Sequence, residues 1–143
     1  MLWTYENIEA RIWPNDHCPP HVTFICRADG WTARIEFSMV STIVCLIDIK
    51  PIIKAPGSAL INVLANQVQN RLPKCRKLWW ETFSSVCLDN KRVERIKPGE
   101  ARLAKVGISS GVVIAKSGLY ESSKVYASVR WPDGTVSLEQ IKE

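Results

Sequence analysis

The chain has 143 residues, 46% of them hydrophobic, and carries 19 Lys and Arg against 14 Asp and Glu, a formal net charge of +5. That suffices for one ordinary domain or two small ones and is too apolar for a disordered chain. No window approaches the roughly 20 apolar residues of a membrane span, and Met1-Leu2-Trp3 opens without the basic start and apolar core of an export signal, so a cytoplasmic protein with no membrane partner is expected.

The first third reads as strands. Ile8, Ala10 and Ile12 alternate with Glu9, Arg11 and Trp13. A polar, proline-rich break follows from Pro14 to Pro20. Val22, Phe24 and Cys26 then alternate with Thr23, Ile25 and Arg27, and Trp31, Ala33, Ile35 and Phe37 alternate with Thr32, Arg34 and Glu36. Asp29-Gly30 between the two runs predicts a hairpin turn, because glycine accepts the positive φ of a tight turn. The β-branched run Ile43 to Ile53 predicts a buried strand that ends near Pro51.

Ser58 is placed as the N-cap of a helix, whose apolar stripe Leu60, Ile61, Leu64, Ala65, Val68 and Leu72 recurs at helical spacing and can close over the sheet. Pro73 interrupts it; proline is tolerated in a first turn, so Lys74 to Phe83 forms a second helix. Asp89 to Lys97 reads as a charged connector. Strands return at Ala101 to Val106, Gly111 to Lys116 and Lys124 to Trp131. Pro132-Asp133-Gly134 makes a turn before a short last element from Val136 to Ile141. Gly107 to Gly111 lacks the lysine and helix of a phosphate-binding loop.

Charge is the most local property of this sequence. Between Arg71 and Lys97, eight bases face three acids, a net of +5, while the flanking segments are nearly neutral. Trp79 and Trp80 lie inside this stretch. Adjacent helical residues point about 100° apart, so one indole goes to the core and the other to the edge. Arg71, Lys74, Arg76, Lys77, Trp80, Lys91, Arg92 and Arg95 are therefore candidates for meeting an acidic partner. In the strand Lys124 to Trp131, Trp131 falls on the core face, and Tyr126 and Arg130 join the candidates on the other.

His17 and His21 flank two prolines beside Asp16. Extended proline backbone holds them roughly 12 Å apart at about 3.1 Å per residue, and the spacing matches no usual ligand pair, so neither metal nor cofactor is expected. The five cysteines show no CxxC spacing and are expected as reduced thiols.

Asn15-Asp16-His17-Cys18-Pro19-Pro20-His21-Val22 resembles the opening signature of a bacterial domain family of unknown function numbered 4160, with Thr23 where that family has a further histidine. The resemblance covers about 80 residues. It implies a hairpin, a strand and a helix ending near a tryptophan, and a small protein encoded beside a partner, as in toxin–antitoxin pairs or on mobile elements. The segments Gly111-Val112-Val113, Val106-Gly107, Tyr126 to Trp131 and Asp133-Gly134-Thr135 resemble an SH3-like barrel of the Tudor or chromo type over about 45 residues.

The expected architecture is α+β: residues 1–88 as an antiparallel sheet covered by one or two helices, 89–97 as a basic connector, and 98–143 as a small SH3-like barrel. The expected function is a non-enzymatic interaction protein of bacterial or phage origin that binds and regulates or inhibits a larger protein or nucleoprotein complex, as a toxin–antitoxin component or an anti-CRISPR-type inhibitor does. Two alternatives stand beside it. One is direct DNA or RNA binding through the same cations. The other is a hydrolase or nuclease-like toxin that uses Asp16, His17 and His21.

Overall fold

The computed structural model describes residues 1–104 and 111–143; the part of the barrel pattern on Val106 and Gly107, and the turn after it, lie outside them. The chain is α+β and divides into two compact units, residues 1–38 with 42–83, and residues 39–41 with 84–143.

Unit one is a five-stranded antiparallel sheet with two helices. Its strands are β1 (Trp3–Tyr5), β2 (Ile8–Arg11), β3 (His21–Cys26), β4 (Trp31–Glu36) and β5 (Cys45–Lys50), and they lie side by side in sequence order. The period-two pattern sorts their faces. Ala10, Phe24 and Ala33 form one cross-strand row and Val22 with Ile35 another, all with no exposed surface. Gly30 turns the β3–β4 hairpin at φ 72°, a value that only glycine adopts without strain.

Two helices follow, α1 (Ser58–Asn70) and α2 (Leu72–Phe83). Pro73 is the second residue of α2, where a missing N–H costs nothing, so the chain breaks at Arg71 and not at the proline. Gly57, not Ser58, caps α1, and no side chain bonds the first amides. Leu64, Val68, Cys75 and Trp79 are wholly buried. Trp79 packs its indole against Phe37 and Phe83 at centroid distances of 6.2 and 4.3 Å.

The run expected as a buried strand is instead the edge of the sheet. Only β4 pairs with β5, and Leu46 and Ile47 remain exposed, as do Ile52 and Ile53 in the 3₁₀ turn Ile52–Lys54. β-Branched content predicts extended backbone; it does not say how many neighbours the strand has.

Unit two is a closed barrel. Its strands are β6 (Arg92–Lys97), β7 (Glu100–Leu103), β8 (Gly111–Val113), β9 (Leu119–Glu121), β10 (Lys124–Arg130) and β11 (Val136–Lys142). The expected basic connector is thus largely β6, a strand of the barrel wall. The ring runs β11–β7–β6–β8–β10 and closes from β10 back to β11, with β9 on the first half of β10. The β7–β11 pair is parallel; the others are antiparallel. Val93, Ala101, Val113, Val125, Ala127, Val129 and Ile141 fill the interior. Gly111 has to be glycine: a Cβ there would meet Val129 Cγ1 at 2.4 Å and the Trp131 ring at 2.9 Å.

Candidate docking site

The basic stretch does not form one patch on one element. Its first half lies on or beside α2 in unit one, its second half on β6 in unit two, and the two halves differ in what their cations do.

On the helical side the cations are engaged with the unit's own backbone and rings. Lys74 donates from Nζ to the Leu2 carbonyl at 2.6 Å, and Arg76 donates from Nε to the Ser38 carbonyl at 2.9 Å. Arg71 lies over the Trp3 ring, 5.0 Å from its centroid, while Trp3 donates to Gln67. Lys77 is exposed and reaches Glu81 one turn on. Trp79 is the core indole, and Trp80 is half-buried. These residues tie the helix to the N-terminal strand and to the end of the chain leaving β4.

On the barrel, register places other candidates in a row. Arg92 of β6 opposes Val112 of β8, Val112 opposes Arg130 of β10, and Arg130 opposes Val136 of β11. All four are exposed. Strand spacing puts the two guanidinium-bearing positions roughly 10 Å apart with a valine between them. The next row holds Ser128 and Leu138, and the third Leu119, Tyr126 and Gln140. None of these rows contains a carboxylate, and among the described residues neither Arg92 nor Arg130 has an acidic partner. Lys91 is exposed where the chain enters β6.

β11 explains why this face is apolar. Its pattern is inverted: Val136 and Leu138 point outward at 53% and 61% exposure, while Ser137 and Glu139 point inward. Hydrophobic residues exposed while a carboxylate occupies the interior is the reverse of what burial favours.

The inward side is a polar chain at the barrel mouth. Trp131 donates from Nε1 to Ser137 Oγ at 2.8 Å, and Ser137 donates to Glu139 Oε1 at 2.8 Å. Arg95 lies over the Trp131 ring at 4.1 Å and reaches the same Oε1 at 3.5 Å. Arg95 is therefore the internal counter-ion of a buried acid and leaves the set of docking cations. Glu139 was not predicted as special. The signal available was its place one step out of phase with Val136 and Leu138.

The histidine loop divides between core and surface. His21 is 2% exposed and His17 is exposed. The Pro19 carbonyl, 2.8 Å from His21 Nδ1, can only accept, so that nitrogen carries the proton. Nε2 faces Asp16 Oδ1 at 3.4 Å without hydrogen-bond geometry, and Asp16 Oδ2 accepts the Trp13 amide. The ring packs on Trp79 at 5.6 Å. Among the described residues no group of His, Cys, Asp or Glu could hold a metal.

Cys18 and Cys87 are disulfide-bonded, where reduced thiols were expected; Cys26, Cys45 and Cys75 are free. The disulfide state runs against the reducing-compartment argument on which that expectation rested. Burial pushes the Cys75 thiol up to about 12, so it is inert at neutral pH. Elsewhere in unit one, Arg34 makes a two-pronged pair with Asp48, at 2.9 and 2.5 Å, and holds that carboxyl below its ordinary range.

No family model matches this chain, and no match was found among curated proteins or solved structures. No helix of the described residues is long and apolar enough to cross a membrane.

Proposed function

We propose that this chain is a non-enzymatic interaction protein, of the bacterial or phage type its sequence resemblance implies, that binds and regulates or inhibits a larger protein or nucleoprotein partner. A toxin–antitoxin component or an anti-defence inhibitor of the anti-CRISPR kind fits this description. A cytoplasmic place of action and the SH3-like character of the barrel belong to the same proposal. The docking surface is the outer wall of β8, β10 and β11 with Arg92 at its margin.

One observation carries the reading: Arg92, Val112, Arg130 and Val136 form a single exposed row, and among the described residues the cations in it have no acid of their own. Cations interleaved with exposed valine and leucine match a protein face that offers carboxylates around an apolar centre. A phosphate backbone calls instead for dense cations and stacking rings, and Tyr126 is the only aromatic side chain in these rows. The half-buried Tyr126 and the exposed Leu138 would take the apolar centre, Arg92 and Arg130 the charged rim.

The test is capture of partners from a bacterial lysate by the parent protein and by the Arg92→Glu, Arg130→Glu variant. The expected result is a stoichiometric partner lost on charge reversal, with the circular dichroism spectrum unchanged. Steeply salt-dependent binding to DNA or RNA, with no protein retained, would move the assignment to nucleic acid. For the histidines, growth inhibition abolished by His21→Ala in a folded protein would move it to a toxin enzyme.

A further inference from the structure

The edge of the sheet in unit one carries a second interface, independent of the barrel face. We infer that β5 pairs antiparallel with β5 of a second copy of this chain, joining two five-stranded sheets across a two-fold axis.

Among the described residues the strand is a free edge six residues long, whereas the opposite edge, β1, has three residues. Exposed apolar edge strands are templates for pairing, and a soluble protein normally blunts or covers them. Here the blunting is slight. Pro51 lies beyond the last residue, and a single bulge at Ile47 separates the pairs Arg34–Asp48 and Ile35–Leu46. Leu46 and Ile47 are 43% and 37% exposed, and Val63 on α1, which packs beside this strand, is 37% exposed.

The bulge makes the choice of partner specific. It sets Leu46 and Ile49 on the core face, opposite Ile35 and Ala33, and Cys45, Asp48 and Lys50 on the other face, opposite Glu36, Arg34 and Thr32. A second copy running antiparallel must match face to face. One register does so on either side of the bulge: Leu46 opposes the partner's Ile49 and Cys45 opposes the partner's Lys50, each pairing occurring twice about the axis, with the bulged Ile47 opposite the partner's Asp48 at the centre. A shift of one residue in either direction puts core-face residues opposite outer-face ones, and one such shift sets Asp48 against the partner's Asp48.

In the matched register the cross-strand row Val22, Ile35 and Leu46, exposed only at Leu46, continues into the partner's Ile49 and Ala33. On the other face, the partner's Lys50 arrives next to Cys45 and within side-chain reach of Glu36, which sits beside Cys45. Lys50 is 73% exposed and makes only a long contact to Asp48 in its own chain, so charge is complementary as well as shape. The exposed Ile52 follows on toward the partner's exposed Ile43. This symmetry is the isologous kind that closes at two copies. An unrelated strand could form the same backbone ladder, but the face-matched pairing and the Lys50–Glu36 complement come from this chain's own sequence.

The test uses the full chain. Sedimentation velocity across the micromolar range should show a reversible dimer; a monomer throughout would overturn the inference. Directly opposed residues have Cα atoms about 4.5–5.5 Å apart, within disulfide reach. Lys50→Cys should therefore cross-link to Cys45 of the partner under mild oxidation, giving a covalent dimer that disappears in Lys50→Cys, Cys45→Ser. A dimer that fails to cross-link, or that cross-links without Cys45, would overturn the seam. Leu46→Lys, which sets a cation against the partner's Ile49 at a half-exposed position, should raise the dissociation constant at least about tenfold. Lys50→Glu, on the solvent face and harmless to folding, should weaken the dimer in the same direction by facing Glu36; a dimer indifferent to it would also overturn the inference.

Discussion

Helix α2 and strand β6 are both basic, and they use their charge in opposite ways. Around α2, Lys74 and Arg76 hold backbone carbonyls of unit one and Arg71 covers Trp3. On and around β6, Arg95 neutralises a buried acid and Lys97 pairs with Glu100. Arg92, joined by Arg130 across β8, meets no acid among the described residues. Net charge along a sequence thus says where cations are concentrated; only their hydrogen bonds say which remain available to another molecule.

The largest effect that sharpens this contrast should come from the helix. Trp79→Ala empties the wholly buried indole site and should cost about 3–5 kcal/mol in denaturant unfolding. A loss under about 1 kcal/mol would mean that α2 is not the anchor described here. Next is Arg95→Ala, which strips Glu139 of its cation inside the barrel. A loss of about 1–3 kcal/mol is expected, and Glu139→Gln should restore much of it in the double variant. Lys74→Ala and Arg76→Ala should each cost about 1 kcal/mol by freeing a carbonyl. Arg92→Ala and Arg130→Ala should stay within about 0.5 kcal/mol of the parent. Equal costs for the two pairs would erase the distinction.

The smallest effect is electrostatic. Arg34 lowers the folded-state pKa of Asp48 beneath its ordinary value of 3.8. The pair's contribution is then complete above about pH 4 and is lost as pH falls through the folded pKa. Because the pair is partly exposed, it is worth under about 1 kcal/mol. Asp48→Asn should therefore lower stability at neutral pH and flatten the acid limb of the stability curve. A separate check concerns thiols: three of five should react in denatured, unreduced protein, and Cys45 should react before Cys26 and Cys75 in the native state.

Local periodicity made much of unit one legible. The alternation from Trp31 to Glu36 and the helical stripe from Leu60 to Val68 each lie within one element, and the Asp29-Gly30 turn is set by a single dihedral. Environment was less accessible. Ile43 to Ile53 reads as a strand by composition, but its lack of a second neighbour is a property of sheet order. β6 was read as a connector because Val93 is its only buried residue among charged ones. The parallel β7–β11 pairing joins residues some forty positions apart and leaves no local mark. At the candidate site, Tyr126 and Arg130 could be placed together from strand parity, whereas Arg92 could be separated from Arg95 only once Glu139 was found inside the barrel.

The most direct measurement is photo-crosslinking from single positions. A benzophenone side chain is placed at Val112 in one protein and at Lys77 in another, and each is irradiated in the same lysate. Docking on the barrel wall predicts a discrete partner adduct from position 112 that is lost with Arg92→Glu, Arg130→Glu, and none from position 77. An adduct from 77 alone would return the binding surface to the helix and contradict the division of charge described here.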